Sequence, residues 1–142
     1  VMAGTGDMLP RLQARVRQLG IEDNFSFPGF LNREKVEEMF ALADLYVMPS
    51  VSEPFGISCL EAVSKDTPVI VSRQSGVSEV LSHALKVDFW DVEKLADFIA
   101  NSLEHEELRS DLVDMSKGEL SHLNWDYSGG KVKRVYQHLL GD

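Results

Sequence analysis

The sequence has a single cysteine, no long apolar run and no excess of basic residues. Cys59 alone cannot form a disulfide framework or a cysteine-rich metal site, so a reducing compartment is expected. No apolar run approaches the roughly 18–20 residues of a membrane span. The opening Val1–Gly4 lacks the basic start of a secretory signal. These absences predict a cytoplasmic protein, with peripheral membrane contact of a longer protein left open.

The charge balance excludes one further class of partner. The net charge is −9, with 23 acidic and 14 basic residues. Nucleic-acid binding needs a basic face, so no nucleic-acid partner is expected. The acidic surface by itself indicates only solubility.

The 142 residues fit one globular domain with one core. The chain opens on Val1–Ala3, which has the pattern of the end of a buried strand. Gly4-Thr5-Gly6 follows, and this turn is either an ordinary chain reversal or a nucleotide contact. Because a natural domain rarely begins at the last residues of a strand, we expect this sequence to be a piece of a longer protein.

Strand-like and helix-like segments alternate along the chain. Short runs of apolar residues, or of residues common in strands, predict strands at 24–27, 45–48, 68–71 and 84–87. Helical spacing predicts helices at 9–19, from a cap at Asn32 to about Ala43, from about Gly56 to 63, and at 76–81, 92–104, 106–120 and 127–140. This alternation predicts a three-layer, Rossmann-like α/β domain with a mostly parallel sheet, helices on both faces and a helical C-terminal end.

In open parallel sheets, ligands bind beyond the carboxyl ends of the strands. The loops predicted there are 4–7, 29–32, 50–56 and 72–76. The richest of them ends at Gly56, which allows the backbone to approach a ligand closely. The free N–H groups of Gly56, Ile57 and Ser58, together with the helix dipole, favour an anion site suited to a diphosphate.

Two glutamates flank these amides. Glu53 precedes them in the loop, and Glu61 lies about one turn inside the helix. A phosphate repels a carboxylate, so each glutamate is expected to accept hydrogen bonds from sugar or ribose hydroxyls. The alternatives are a solvated loop acid for Glu53 and a helix-surface acid interacting with the dipole for Glu61.

The segment Glu53–Glu61, EPFGISCLE, resembles the E-x7-E motif of the retaining, GT-B-fold glycosyltransferases called group 1 or family 4. Further segments are similar to family patterns and occur in the family's order: 3–6, 24–30, 43–50, 61–63, 67–72 and 76–80. The resemblance implies that residues 1–142 are the C-terminal donor-binding domain of such an enzyme. The N-terminal acceptor domain and the first strand with its phosphate clamp would lie outside this sequence.

The resemblance also implies a role for each matching residue. The implied donor-binding residues are Phe30, Leu31, Phe55, Gly56, Ile57, Ser58 and Glu61. The amides of the loop would hold the diphosphate of a nucleotide sugar, Glu61 would bind the ribose, and Phe30-Leu31 would lie near the base. Glu53 would be the catalytic residue, contacting the donor sugar. A hexosyl group would pass, with retention and without metal or other cofactor, to a glycan, lipid or small-molecule acceptor.

Three departures from the family pattern are visible. Lys65-Asp66 stands where the family has a small residue and glycine, and Ser75-Gly76 stands where it often has two glycines. Both lie beside the site and bear on substrate preference more than on fold. The Arg and Lys that clamp the phosphates in the family would precede Val1. We therefore expect that this chain alone does not transfer sugar.

The sequence is also compatible with two other functions. A sugar-nucleotide epimerase half would use the same architecture, but it would need additional carboxylates and a histidine around the cleft. A non-catalytic nucleotide-sugar-binding module would share every feature described above. The base, the sugar and the acceptor are not identified by the sequence.

Several reactive or bulky side chains have simpler interpretations than a site. Cys59 is predicted to be a small core residue, and the four histidines lack metal-ligand spacing. Arg73 and Lys65 are predicted to be exposed charges, with a phosphate contact as the alternative. Trp90 and Trp125 are predicted to anchor the C-terminal helices by packing. The alternative for Trp125 is contact with the absent domain.

Overall fold

A computed structural model describes residues 1–141. These residues form two compact units, the first comprising residues 1–39 and the second starting at Phe40. Within the described residues, no helix is both long enough and apolar enough to span a bilayer.

The first unit contains the helix α1, Leu9–Leu19, which ends where the sequence predicts. Gly20 adopts the left-handed conformation at φ 66° and donates its N–H to the carbonyls of Arg17 and Val16. A glycine at this position closes a helix without the steric cost that a Cβ would add. A short 3-10 helix, Glu22–Asn24, follows.

The strand predicted at 24–27 is wrong. Its first residue belongs to the 3-10 helix, and the extended chain after it pairs with the opening residues only through isolated bonds. Met2 N donates to Ser26 O at 2.9 Å, and Ala3 forms a single parallel bridge with Gly29. The opening residues Val1–Ala3 are exposed, so the prediction of a buried strand end is also wrong. One irregularly paired neighbour neither buries a segment nor completes a ladder.

The helix α2, Arg33–Leu42, begins after Asn32 as predicted. The Asn32 side-chain oxygen accepts a hydrogen bond from Lys35 N at 3.0 Å. This bond satisfies one of the backbone N–H groups that the first turn of a helix leaves free.

The second unit is built on a three-stranded parallel sheet in the order β1-β2-β3. The strands are Tyr46–Met48, Val69–Ser72 and Leu85–Val87, each within two residues of the predicted bounds. In the register, Ile70 of the central strand lies opposite Val47 and Leu85. All four residues of β2 are buried, as expected for a central parallel strand covered by helices. The predicted α/β architecture is confirmed.

Five helices complete the unit. They are α3, Ile57–Ser64; α4, Val77–Val80; α5, Val92–Glu104; α6, Glu106–Leu120; and α7, Trp125–Leu140. The helix α3 packs against β1, β2 and α6, while α5 packs against β3 and α6. The last helix begins two residues earlier than predicted, because the Asn124 side chain caps it by accepting from Tyr127 N at 2.8 Å.

The prediction that the two tryptophans anchor the C-terminal helices is wrong. Trp125 is 91% exposed, and no described residue of α7 is buried. Trp90 is also exposed and contacts Phe89 edge-on, with ring centroids 4.8 Å apart. The sequence shows that α7 is amphipathic, but amphipathicity does not specify what covers the apolar face.

Asp66 explains one departure from the family pattern. It adopts φ 66°, the only non-glycine residue in the described chain with a positive φ. This left-handed conformation is the one that glycine adopts without strain and that aspartate tolerates better than most residues. The backbone therefore takes the turn that a glycine would favour, and the Asp66 carboxylate forms an ion pair with Lys117.

Candidate functional site

The loop that carries Glu53 is fixed to the neighbouring loop at the carboxyl edge of the sheet. Gly76 N donates to the Glu53 carbonyl at 2.9 Å, and Glu53 forms a parallel bridge with Ser75. The carboxyl ends of β1 and β2 are also joined, because the Ser72 hydroxyl donates to Ser50 O at 2.6 Å. The backbone of Glu53 is therefore held from outside its own loop.

Two glycines allow these loops to approach each other. At Gly76, an added Cβ would lie 2.1 Å from the Pro54 carbonyl oxygen, well inside any permitted contact. Gly56 has φ 89°, and a Cβ there would meet Val77 Cγ1 at 2.9 Å. Packing between the loops thus requires both glycines. This requirement is separate from the close approach of a ligand that the sequence suggests for Gly56.

The carboxylate of Glu53 lies on two of the four amides that are predicted to bind diphosphate. Its Oε1 atom accepts from Gly56 N at 3.1 Å and from Phe55 N at 3.3 Å. The side chain is half-buried at the start of α3. In this structure an anion therefore occupies these amides, and it belongs to the protein itself.

Glu61 lies on the exposed face of α3, four residues after Ile57, whose side chain is 61% exposed. Residues four apart on a helix share a face, so both side chains are open to a ligand above α3. The Ser58 hydroxyl is turned away from that face. It accepts from Tyr46 Oη at 3.0 Å and lies 3.8 Å from Met48 Sδ. Only the backbone amide of Ser58 is left for the predicted diphosphate contact.

The pKa of Tyr46 is influenced by burial and by both glutamates. Burial raises the pKa of Tyr46, and the hydrogen bond with Ser58 opposes that rise. The negative charges of Glu53 and Glu61, and that of Cys59 at a pH high enough to ionise it, raise the pKa of Tyr46 further. Both predicted carboxylates therefore act on one phenol in β1.

Cys59 is a core residue, as predicted. It is fully buried, and its thiol donates to Met48 Sδ at 3.5 Å. Burial raises the pKa of the thiol to about 12, with a smaller contribution from the charge of Glu53. A thiol that keeps its proton at neutral pH is a poor nucleophile.

The raised pKa predicts how stability depends on pH. The folded state keeps the Cys59 proton where the unfolded chain, with an ordinary thiol pKa of about 8.5, loses it. The stabilisation is complete below pH ~8.5 and is lost as pH rises toward 12. We expect the free energy of unfolding in urea to fall more steeply above pH 9 in the wild type than in Cys59→Ala. Parallel profiles would contradict the assignment.

Comparison with known proteins decides the family. The family model described as glycosyl transferases group 1 matches residues 1–118. This chain belongs to that family. A curated relative, an uncharacterized glycosyltransferase of Methanocaldococcus jannaschii, is 34% identical over 96% of this chain and 36% of its own length. The group 1 chain therefore spans about a third of the length of this relative.

Solved structures support the fold. Sucrose-phosphate synthase from Thermosynechococcus elongatus is similar with a TM-score of 0.79 and 26% identity, over 96% of this chain and 35% of that one. An Anabaena protein, HepE, solved in complex with UDP and glucose, has a TM-score of 0.77 and 19% identity. That match covers 99% of the group 1 chain and 40% of HepE. The GT-B, Rossmann-like character of the chain follows from these matches.

The residues predicted to lie near the base belong to the first unit of the group 1 chain. Phe30 is exposed and Leu31 half-buried, directly after the bridge at Gly29. The Gly4–Gly6 turn borders a cavity of about 280 Å³ in the same unit, lined also by Phe27. Their roles in binding stay predictions.

The two basic residues near the motif differ in position. Arg73 follows β2 at the carboxyl edge, where it is exposed and lies 4.0 Å from a carboxylate oxygen of Asp88. Lys65 caps the C-terminal end of α3, close to the amino end of β2. Lys65 therefore lies at the opposite edge of the sheet from the motif loops, which removes the alternative of a phosphate contact there.

Sequence reasoning missed the side chain that fixes the second loop of the site. Gln74 donates from Nε2 to Asp88 at 2.8 Å and accepts from Phe89 N at 3.4 Å. The sequence feature that could have identified Gln74 is its position directly before Ser75-Gly76, in a loop predicted at the carboxyl end of a strand. Within residues 1–141, no three histidine, cysteine or acidic side chains are grouped so that they could hold a metal ion.

Proposed function

We propose that this chain is the donor-binding half of a glycosyltransferase. The whole enzyme transfers a hexosyl group from a nucleoside-diphosphate sugar to a glycan, lipid or small-molecule acceptor, with retention of configuration. The observation that carries the proposal is the Glu53–Glu61 segment at the carboxyl edge of the sheet. In it, backbone amides at the start of α3 hold the Glu53 carboxylate, and the exposed Glu61 carboxylate follows about one turn into the helix.

Several observations support a nucleotide-sugar donor. The site has backbone amides and the positive end of a helix dipole, which attract phosphate even though the chain carries a net charge of −9. Carboxylates beside such amides suit hydroxyl groups, which ribose and hexose both supply. HepE, which shares the fold, was solved with UDP and glucose bound.

Each residue has a defined part in the proposed reaction. The amides of residues 55–58 hold the diphosphate and stabilise the charge that grows on it as the sugar leaves. Glu61 accepts hydrogen bonds from the ribose, and Glu53 accepts them from the donor sugar during transfer. Phe30 and Leu31 contact the base. No metal or other cofactor takes part, and the acceptor is bound by a further domain of the same polypeptide.

Substitution of Glu61 tests the donor site directly. We expect Glu61→Ala to weaken binding of a nucleoside diphosphate by about tenfold or more, because a hydrogen bond to a charged group contributes ~1.5–3 kcal/mol. Titration calorimetry or ligand-observed NMR with UDP, GDP and ADP, and with their glucose or mannose conjugates, measures it. The charge-matched control is Glu93→Ala, an exposed glutamate in the first turn of α5.

Two results would contradict the proposal in different ways. Equal affinity of the wild type and Glu61→Ala would remove the ribose assignment. Absence of binding for every nucleotide and nucleotide sugar would remove the donor site itself. Sugar transfer by the isolated 142-residue chain would show that a half-enzyme is not the correct description.

A further inference from the structure

The position of the Glu53 carboxylate conflicts with the binding of a donor in the same arrangement. Its Oε1 atom accepts from Gly56 N at 3.1 Å and from Phe55 N at 3.3 Å. Both N–H groups are among the amides that the proposed function assigns to the diphosphate. Each backbone N–H is a single donor, so a phosphate oxygen gains these amides only when the carboxylate gives them up.

Electrostatics adds to the competition. Phosphate and carboxylate are both negative, and two like charges within a few ångströms of each other repel strongly where the site is partly shielded from water. Glu53 is half-buried, and its charge already raises the pKa values of Cys59 and Tyr46. A diphosphate at the start of α3 therefore favours displacement of the carboxylate over sharing of the amides.

The backbone shows which part of Glu53 moves. Its carbonyl accepts from Gly76 N at 2.9 Å, and its main chain is bridged to Ser75. These bonds hold the main chain to the β2 loop whether or not the carboxylate rests on the amides. Release of the carboxylate thus requires only rotation of the side chain.

We propose that Glu53 acts as an internal anion, occupying the diphosphate site when no donor is bound and leaving it when the donor arrives. This inference rests on the proposed function. A nucleotide sugar displaces the carboxylate and offers sugar hydroxyls as its new partners. A free nucleoside diphosphate displaces the carboxylate without offering donor-sugar hydroxyls in return. The internal anion thus favours donor over spent nucleotide, which selects the sugar-bearing ligand and assists release of the nucleotide product.

The first part of the test uses the chain without any nucleotide. In ¹H–¹⁵N NMR spectra, we expect Glu53→Ala to shift the amide protons of Phe55 and Gly56 upfield as they lose a charged acceptor. Glu53→Gln keeps the side-chain shape and should give a smaller shift in the same direction. The charge-matched control Glu93→Ala should leave both resonances in place. Unchanged Phe55 and Gly56 resonances in both Glu53 variants would overturn the inference.

The second part measures affinity for whichever of UDP, GDP and ADP the chain binds. An internal ligand that fills a site about nine-tenths of the time lowers apparent affinity about tenfold. We therefore expect Glu53→Ala to bind the nucleoside diphosphate about tenfold more tightly than the wild type, and Glu53→Gln to lie between them. The matching nucleoside without phosphates should bind all three proteins equally.

The nucleotide sugar tests the other half of the inference, because loss of the carboxylate should favour the free diphosphate and disfavour the sugar conjugate relative to it. The wild type should prefer the sugar conjugate over the free diphosphate, and Glu53→Ala should lose that preference because it lacks the carboxylate that the sugar engages. Equal diphosphate affinity in the wild type and both Glu53 variants, with binding weakened in Glu61→Ala, would overturn the internal anion and leave the donor site intact. Absence of binding in every protein would overturn both.

Discussion

Replacement of Gly76 by alanine is expected to destabilise the second unit by about 3 kcal/mol, the upper range for forcing extra atoms into a packed site. The added Cβ would lie 2.1 Å from the Pro54 carbonyl oxygen and 2.9 Å from its carbonyl carbon. Both are backbone atoms, which cannot rotate aside as a side chain does. The loop that carries Glu53 must therefore move away from the β2 loop.

This displacement also breaks the hydrogen bond from Gly76 N to the Glu53 carbonyl. Nucleotide binding should fall together with stability, because the amides at Phe55 and Gly56 belong to the displaced loop. Urea unfolding followed by circular dichroism measures the first effect, and calorimetric titration of the folded protein measures the second.

The matched control is Gly118→Ala. Gly118 lies inside α6, and its added Cβ would have no atom within 4 Å. Alanine is the better helix former, so this variant should gain about 0.5–1 kcal/mol of stability. Equal effects of the two substitutions would show that the loops do not depend on close contact at Gly76.

The two glycines of the site illustrate how far sequence reasoning extends. The motif predicts that Gly56 opens a helix beside a ligand, and the helix does begin at Ile57. The sequence does not reveal that Val77 packs where a Cβ of Gly56 would lie, because Val77 is 21 positions away and begins another helix, α4. Periodicity predicts the two elements, whereas the contact between them depends on how the strands align.

The same distinction separates the correct and the wrong predictions for the fold. The helices α5 and α6 have the predicted bounds because apolar spacing defines them, and α5 is also capped by Asp91, which accepts from Lys94 N at 3.1 Å. The segment at 24–27 has strand-like residues, but a strand also needs a partner that pairs along its length. Only isolated bonds to the opening residues occur there.

Sequence patterns do not predict contacts between residues that are distant in sequence. His83 lies 2.9 Å from a carboxylate oxygen of Glu119, 36 positions later, and the same oxygen accepts from Ser82 N. Neither residue belongs to a motif. The contact of Glu53 with the amides two and three positions ahead is local, and the spacing could have suggested it. Because a phosphate repels a carboxylate, the sequence predicts hydroxyl partners for Glu53 and not these amides.

The central strand should be the most sensitive part of the second unit to loss of volume. Ile70 is fully buried in β2 and lies opposite Val47 on one side and Leu85 on the other. Ile70→Ala should lower the free energy of unfolding by about 4 kcal/mol, because it removes buried methyl and methylene groups and leaves a cavity. Ile70→Val, which removes one methylene, should cost about 1 kcal/mol.

The matched control is Ile57→Ala, which makes the same chemical change at a side chain that is 61% exposed. Its cost should stay below about 1 kcal/mol, since little apolar surface returns to water. Urea unfolding of the three variants measures the series. A cost for Ile70→Ala no greater than that for Ile57→Ala would mean that β2 is not the centre of the core. Because β2 ends at Ser72, which ties the motif loop through Ser50, Ile70→Ala should also weaken nucleotide binding in the molecules that remain folded.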